Sequence, residues 1–132
     1  MVSFARIVSG CIAAALLSAA GPSLAHHSFP ATYYIDKSVT IKGKVVQFMF
    51  RNPHSMIIIL APGPDGKDVR YAVEWAAAGA LAKDGQASRE SLKPGDFVIV
   101  TGAPGRQETD HKIRLNQIER PADGWKWGGS FE

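Results

Sequence analysis

VRYAVEWAAAGALAK, residues 69–83, changes period partway through, and that change decides the fold. From Val69 to Trp75 the apolar side chains fall at every second position, the mark of a strand with one face covered. From Ala76 to Lys83 the alternation stops and good helix formers follow one another, so a short helix is expected there. Upstream, Met56 to Ala61 (MIIILA) reads as a strand buried on both faces. Between it and Val69, PGPDGK (residues 62–67) is a turn, with Asp65-Gly66 a strong hairpin signal. Earlier still, Thr40 to Phe50 (TIKGKVVQFMF) forms a long strand. Ile41 and Val45 share one face, and Val46, Phe48 and Phe50 the other, so a bulge is expected near Gly43 to Val46. Arg51-Asn52-Pro53 ends it, because proline gives no N–H to a ladder. Downstream, Ser88 to Lys93 adds a turn, Phe97 to Thr101 (FVIVT) is a fourth strand, and GAPGRQETDH (residues 102–111) is a loop or hairpin. Lys112 to Glu119 (KIRLNQIE) is a fifth strand that slips register between Leu115 and Ile118. Five strands, with the one clear helix between the third and fourth, is the order of an OB-like Greek-key barrel whose helix plugs one end. A small β-sandwich is the alternative.

On this reading the barrel domain spans residues 39–120. It is preceded by an arm (residues 26–38) and followed by a glycine- and tryptophan-rich tail (residues 121–132) that lies over the barrel or hangs free. The first 25 residues read as a cleaved export signal: one charge, Arg6, then an apolar run from Ile7 to Ala20, a Gly21-Pro22 break, and Ser23-Leu24-Ala25 as the peptidase recognition residues. The run is too short to remain as a spanning anchor, which needs about 20 apolar residues. VSGC (residues 8–11) resembles a lipoprotein cleavage box but lies too close to the start. Cleavage after Ala25 places the protein in the periplasm or outside the cell. It also removes Cys11, the only cysteine, so the mature chain has neither disulfides nor thiol ligands. With Arg6 gone, the 15 basic residues become 14 against 12 acidic, a net charge of +2 that marks no polyanion binder.

HHSF at the mature start, NPH (Asn52 to His54), EW (Glu74-Trp75), and SLKPGD with VTGAPGR (Ser91 to Asp96, Val100 to Arg106) resemble a family of small exported bacterial proteins of unknown function. The resemblance runs over nearly the whole mature chain. It implies an exported β-rich domain and supplies no activity.

The chemistry must therefore come from the residues. A chain beginning at His26 offers an amine and an imidazole that close a chelate ring on one metal, and copper displaces the amine proton near neutral pH. Copper(II) heads the divalent affinity order and favours nitrogen and oxygen donors. His27 adds a second imidazole. The bland alternative is a frayed polar start. A stable site needs a ligand from the folded body, and His54, after Pro53 on a rigid rim, is the first candidate; the alternative is that it caps its turn or packs locally. Phe29-Pro30 would dock the arm, with Tyr33 and Tyr34 as further anchors. His111, beside Glu108 and Asp110, is a secondary candidate, and its Asp-His pair invites comparison with exported copper carriers, which resemble this chain at a histidine start but have a different sandwich fold; the alternative is an exposed polar hairpin. Glu74 is either an oxygen ligand, a carboxylate that orients an imidazole, or a plain ion-paired glutamate.

Three other classes compete. Phe48, Phe50, Tyr71 and Trp75 beside Lys44, Arg51 and Arg70 would suit base stacking, but export and near-neutral charge argue against nucleic acid, and period-two aromatics are more simply core. A non-metal module would hold a peptide, a sugar or a partner protein in the barrel groove or on Trp125 and Trp127. An enzyme is disfavoured: Ser28, Ser55 and Ser91 lack a nucleophile elbow and there is no HExxH helix. A histidine-start copper oxidase would need a broader substrate face. The sequence reading is thus a non-enzymatic copper carrier, buffer or sensor, with oligomeric state open.

Overall fold

The computed structural model describes residues 28–83 and 85–131. The chain forms a one-turn helix α1 (Phe29–Thr32), strands β1 (Val39–Met49), β2 (Met56–Pro62) and β3 (Asp68–Glu74), helix α2 (Ala78–Lys83), and strands β4 (Phe97–Pro104), β5 (Lys112–Arg120) and β6 (Trp125–Gly128). The sheet order is β3-β2-β1-β4-β5-β6, and β3 also pairs with β5, which closes the first five strands into a barrel and leaves β6 outside. That is the expected small Greek-key barrel, with α2 between the third and fourth strands.

β1 serves both halves of the barrel. Its first part, Val39 to Lys44, pairs with β4, and its second, Lys44 to Met49, pairs with β2. The register shift between Val45 and Gln47 is the bulge that the change of face at Val46 foretells. Gly43 sits at the bend because nothing larger fits. A Cβ there would lie 2.2 Å from the Leu60 carbonyl oxygen. Gly102 on β4 is in the same position against the Arg114 carbonyl oxygen, at 2.1 Å. On β5 the slip after Leu115 is real: Gly102 pairs with Leu115 and Thr101 with Gln117. The barrel closes through a parallel ladder that joins Ala72, Val73 and Glu74 to Lys112, Ile113 and Arg114.

The core fills with Ile57, Ile59, Val73, Trp75, Val98, Val100, Ile113, Leu115 and Ile118, and Leu81 of α2 and Leu92 extend it. Trp75 meets Phe48, Trp125 and Trp127 at ring separations of 5.9, 6.3 and 5.2 Å. Two sequence expectations need correction. β2 is not buried on both faces: Ile57, Ile59 and Ala61 point inward while Leu60 is exposed, because among the described residues no second layer covers that face. The tail neither hangs free nor merely rests on the barrel, since β6 pairs with β5 from Gln117 to Arg120. Trp127 is buried and donates its indole N–H to Gln86 Oε1 at 2.6 Å. Arg120 fastens the same region, donating to the Ser91 carbonyl, Asp96 and Asp123. Among the described residues no helix is long and apolar enough to cross a membrane.

Candidate functional site

The turn after β1 is built to present one imidazole. Asn52–Pro53 is a cis peptide bond. Ser55, fully buried, exchanges backbone bonds with the segment after β3: Ser55 N–H donates to Ala76 O at 3.0 Å and Trp75 N–H donates to Ser55 O at 2.8 Å. On the other side Ala78 N–H donates to Arg51 O, and Gly79 N–H donates to the Asn52 side-chain oxygen, both at 3.0 Å. His54 is thus held on a rim tied at four points to the end of β3 and the start of α2.

Glu74, the last residue of β3, reaches this rim. One of its carboxylate oxygens takes His54 Nδ1 and the other accepts the Tyr33 hydroxyl. Tyr33 is buried, and burial, followed by its bond to Glu74 and the charge of that carboxylate, pushes its phenol far above the ordinary value, with Arg114 pulling the other way. The phenol therefore stays protonated and donates. With Nδ1 engaged by a carboxylate, His54 keeps Nε2 as its remaining nitrogen, in a ring about one-third exposed. A carboxylate on one imidazole nitrogen, with the other left for an incoming ion, is the arrangement that orients metal-binding histidines.

The arm docks where the residue types suggested. Pro30 lies in the first turn of α1, where a residue without an N–H leaves no helical bond unmade. Tyr34 N–H donates to Pro104 O, Arg106 N–H to Thr32 O, and Arg106 Nε to Pro30 O, at 2.9, 2.9 and 2.7 Å. Those bonds seat Phe29 on His54, with ring centroids 5.6 Å apart and planes 29° from parallel. Tyr34 lies under Lys37 and Arg106, which approach its ring at 4.1 and 4.5 Å.

Two residues of the site escape sequence reasoning. Phe131 meets His54 at 6.1 Å and Phe29 edge-on at 5.5 Å, and is itself nearly buried. Arg114 stacks on Phe29 at 4.0 Å and on Phe131 at 4.8 Å while donating to the Phe131 carbonyl. Arg114 is also the register partner of Glu74 across the closing ladder. The only hint in the sequence is its place between two core residues of β5, which puts it on the outer face but not beside anything in particular.

The remaining candidates fall elsewhere. His26 and His27 lie outside the described residues, as do residues 1–25, which the sequence reads as an export signal. His111 caps the 3-10 turn Glu108–Asp110 in the left-handed region, at φ 45° and ψ 43°, and packs edge-on against Tyr71 at 5.4 Å. Asp110 faces Lys112, 3.5 Å away. Among the described residues no three His, Cys, Asp or Glu side chains gather closely enough to hold a metal on their own. Among the described residues the His54 rim therefore offers one imidazole with a carboxylate on its other nitrogen, and no more. Trp75 is core, and Phe48, Phe50 and Tyr71 pack partly buried against it.

Barrel, arm and rim together define a small all-β protein with a linked tyrosine–glutamate–histidine row, buried at the tyrosine and part-exposed at the histidine, beside the turn after β1. The chain belongs to the family described as Family of unknown function (DUF6152), which it matches over residues 14–114. No curated protein matches it.

Proposed function

We propose that the processed protein binds copper in the periplasm or outside the cell, as a carrier, buffer or sensor, with the chain beginning at His26. The amine and imidazole of His26 would supply the chelate, with His27 and His54 Nε2 as further nitrogen donors. The observation that carries this reading is the stacking of Phe29 on a histidine whose other nitrogen Glu74 already holds. His27 is two residues before Phe29 and His26 three, so covalent geometry keeps their Cα atoms within about 7 and 11 Å of the Phe29 Cα. The donor set is nitrogen-rich and without thiolate, which suits copper(II) better than softer ions.

Mass spectrometry of the exported protein to identify its first residue, followed by copper titration of that form, is the test. One residue added before His26 should weaken copper binding at least about tenfold, or about 1.4 kcal/mol. Equal affinity of the native and extended chains would refute the chelate.

A second reading, a non-metal binding module, is favoured by a groove of about 860 Å³ between the start of β1, the β2–β3 turn and the loop before β5. Val39, Pro62, Tyr71, Pro104 and Ile113 line it, and the volume lies in the range of small-molecule sites. Trp127 contributes nothing to such a surface, being buried. Ligand binding that survives a chelator would favour this reading over copper.

A further inference from the structure

The last residues of the chain return to the site where its arm begins. After β6, Gly129 N–H donates to Asn116 O at 3.0 Å, and two residues later the Phe131 ring stands edge-on to Phe29 and against His54. Arg114 completes the assembly. Its guanidinium stacks on both phenyl rings, and one of its nitrogens donates to the Phe131 carbonyl. The β5–β6 ladder ends at Gly128, so Phe131 reaches this cluster from beyond the strand and joins the edge of the buried core, against which Phe29 packs. What they do is fill the open side of Phe29, the one ring of α1 that rests on His54. An aromatic ring held by a second ring and a cation has few alternative placements, so the arm is fixed in direction as well as in position.

We infer that Phe131, held by Arg114, is a positioning residue that keeps the amino-terminal arm seated on His54, so that the carboxyl end of the chain controls how well the two ends of the site meet. The inference rests on the copper reading for its consequence, since a wandering arm would present the His26 chelate to His54 only part of the time. Its structural part stands without metal, because the seating of Phe29 also shields the His54 ring from reagents.

The test compares processed wild-type protein with Phe131→Ala, Phe131→Leu and Phe131→Tyr, each checked for an unchanged barrel by thermal melting. In the metal-free proteins, carbethoxylation of His54, followed residue by residue by mass spectrometry, should quicken about fivefold in Phe131→Ala, the change that loss of an aromatic pair corresponds to. Phe131→Tyr should return the wild-type rate because it keeps the ring. Copper affinity should fall about tenfold in Phe131→Ala and recover in Phe131→Tyr, as losing one ligand from a partly ordered set implies. If Phe131→Ala melts early, Phe131→Leu, which keeps an apolar body without a ring, decides on the same two measurements. An unchanged His54 rate in the ring-less variants overturns the inference, and so does a quickened rate with unaltered copper affinity. Should wild-type protein itself fail to bind copper, the metal reading falls while the modification rates still decide whether Phe131 seats the arm.

Discussion

Replacing Glu74 in two ways separates its structural role from its orienting one. In Glu74→Ala the hydroxyl of buried Tyr33 loses its acceptor, and His54 Nδ1 loses its partner. The His54 ring is about one-third exposed and can turn to water, so the stability loss comes chiefly from Tyr33. A buried hydroxyl left without a partner costs about 1–3 kcal/mol. Glu74→Gln is different in kind. Its amide oxygen can still accept from Tyr33, and its amide nitrogen then faces His54 Nδ1 as a donor. To accept that bond the imidazole must carry its proton on Nε2, which removes the lone pair a metal would use. Glu74→Gln should therefore lose less than about 1 kcal/mol of stability yet bind copper about 10- to 100-fold more weakly, the usual effect of losing a group that orients a metal-bound histidine. Urea unfolding gives the first quantity, and competition with a chromophoric chelator on the processed protein gives the second. A Glu74→Gln protein with wild-type copper affinity would show that His54 Nε2 is not a ligand, or that Glu74 does not set its tautomer. A Glu74→Ala protein as stable as wild type would refute the dependence of buried Tyr33 on this carboxylate.

Other outcomes follow from the same contacts. Because burial and Glu74 raise the Tyr33 phenol above its ordinary value near 10, the stability it contributes is complete below that pH. It is lost as pH climbs, since the unfolded chain releases the proton first. Denaturant midpoints measured between about pH 10 and 12 should thus fall more steeply for wild type than for Tyr33→Phe. Gly102→Ala forces a Cβ to 2.1 Å from the Arg114 carbonyl oxygen and should cost about 3 kcal/mol, the upper end of overpacking, because backbone is what must move. Urea midpoints report it. Trp127→Ala removes a buried ring packed on Trp75 and should cost about 3–5 kcal/mol, readable as a drop in thermal midpoint.

The strands were legible because period-two patterns survive even in short segments. Ile41 and Val45, then Val73 and Trp75, name their buried face outright, and the two bulges announce themselves as breaks in alternation at Val46 and after Leu115. β6 was not legible, since WKWG offers too few residues to show a period and glycines follow it. The burial of β2 was overestimated because an unbroken MIIIL run looks the same whether or not a second layer covers it, and in a single-layer barrel Leu60 stays outside. At the site, local chemistry singled out His54, Glu74 and Phe29. Arg114 and Phe131 did not emerge, because they reach His54 only through the β3–β5 pairing and the return of the tail. No spacing rule connects residue 114 to residue 74, nor residue 131 to residue 29.

The ladder that shuts the barrel is its shortest: three residue pairs between β3 and β5, against seven between β2 and β3. Closed sheets breathe first along their weakest seam, and here that seam contains Glu74 and Arg114 opposite one another. Each transient parting of the two strands would therefore separate the carboxylate that aims His54 from the cation that braces the two phenyl rings. Amide hydrogens at Ala72 and Glu74 should exchange with solvent sooner than those where β1 meets β4, and an ion bridging arm and rim would slow them by stitching the seam from outside.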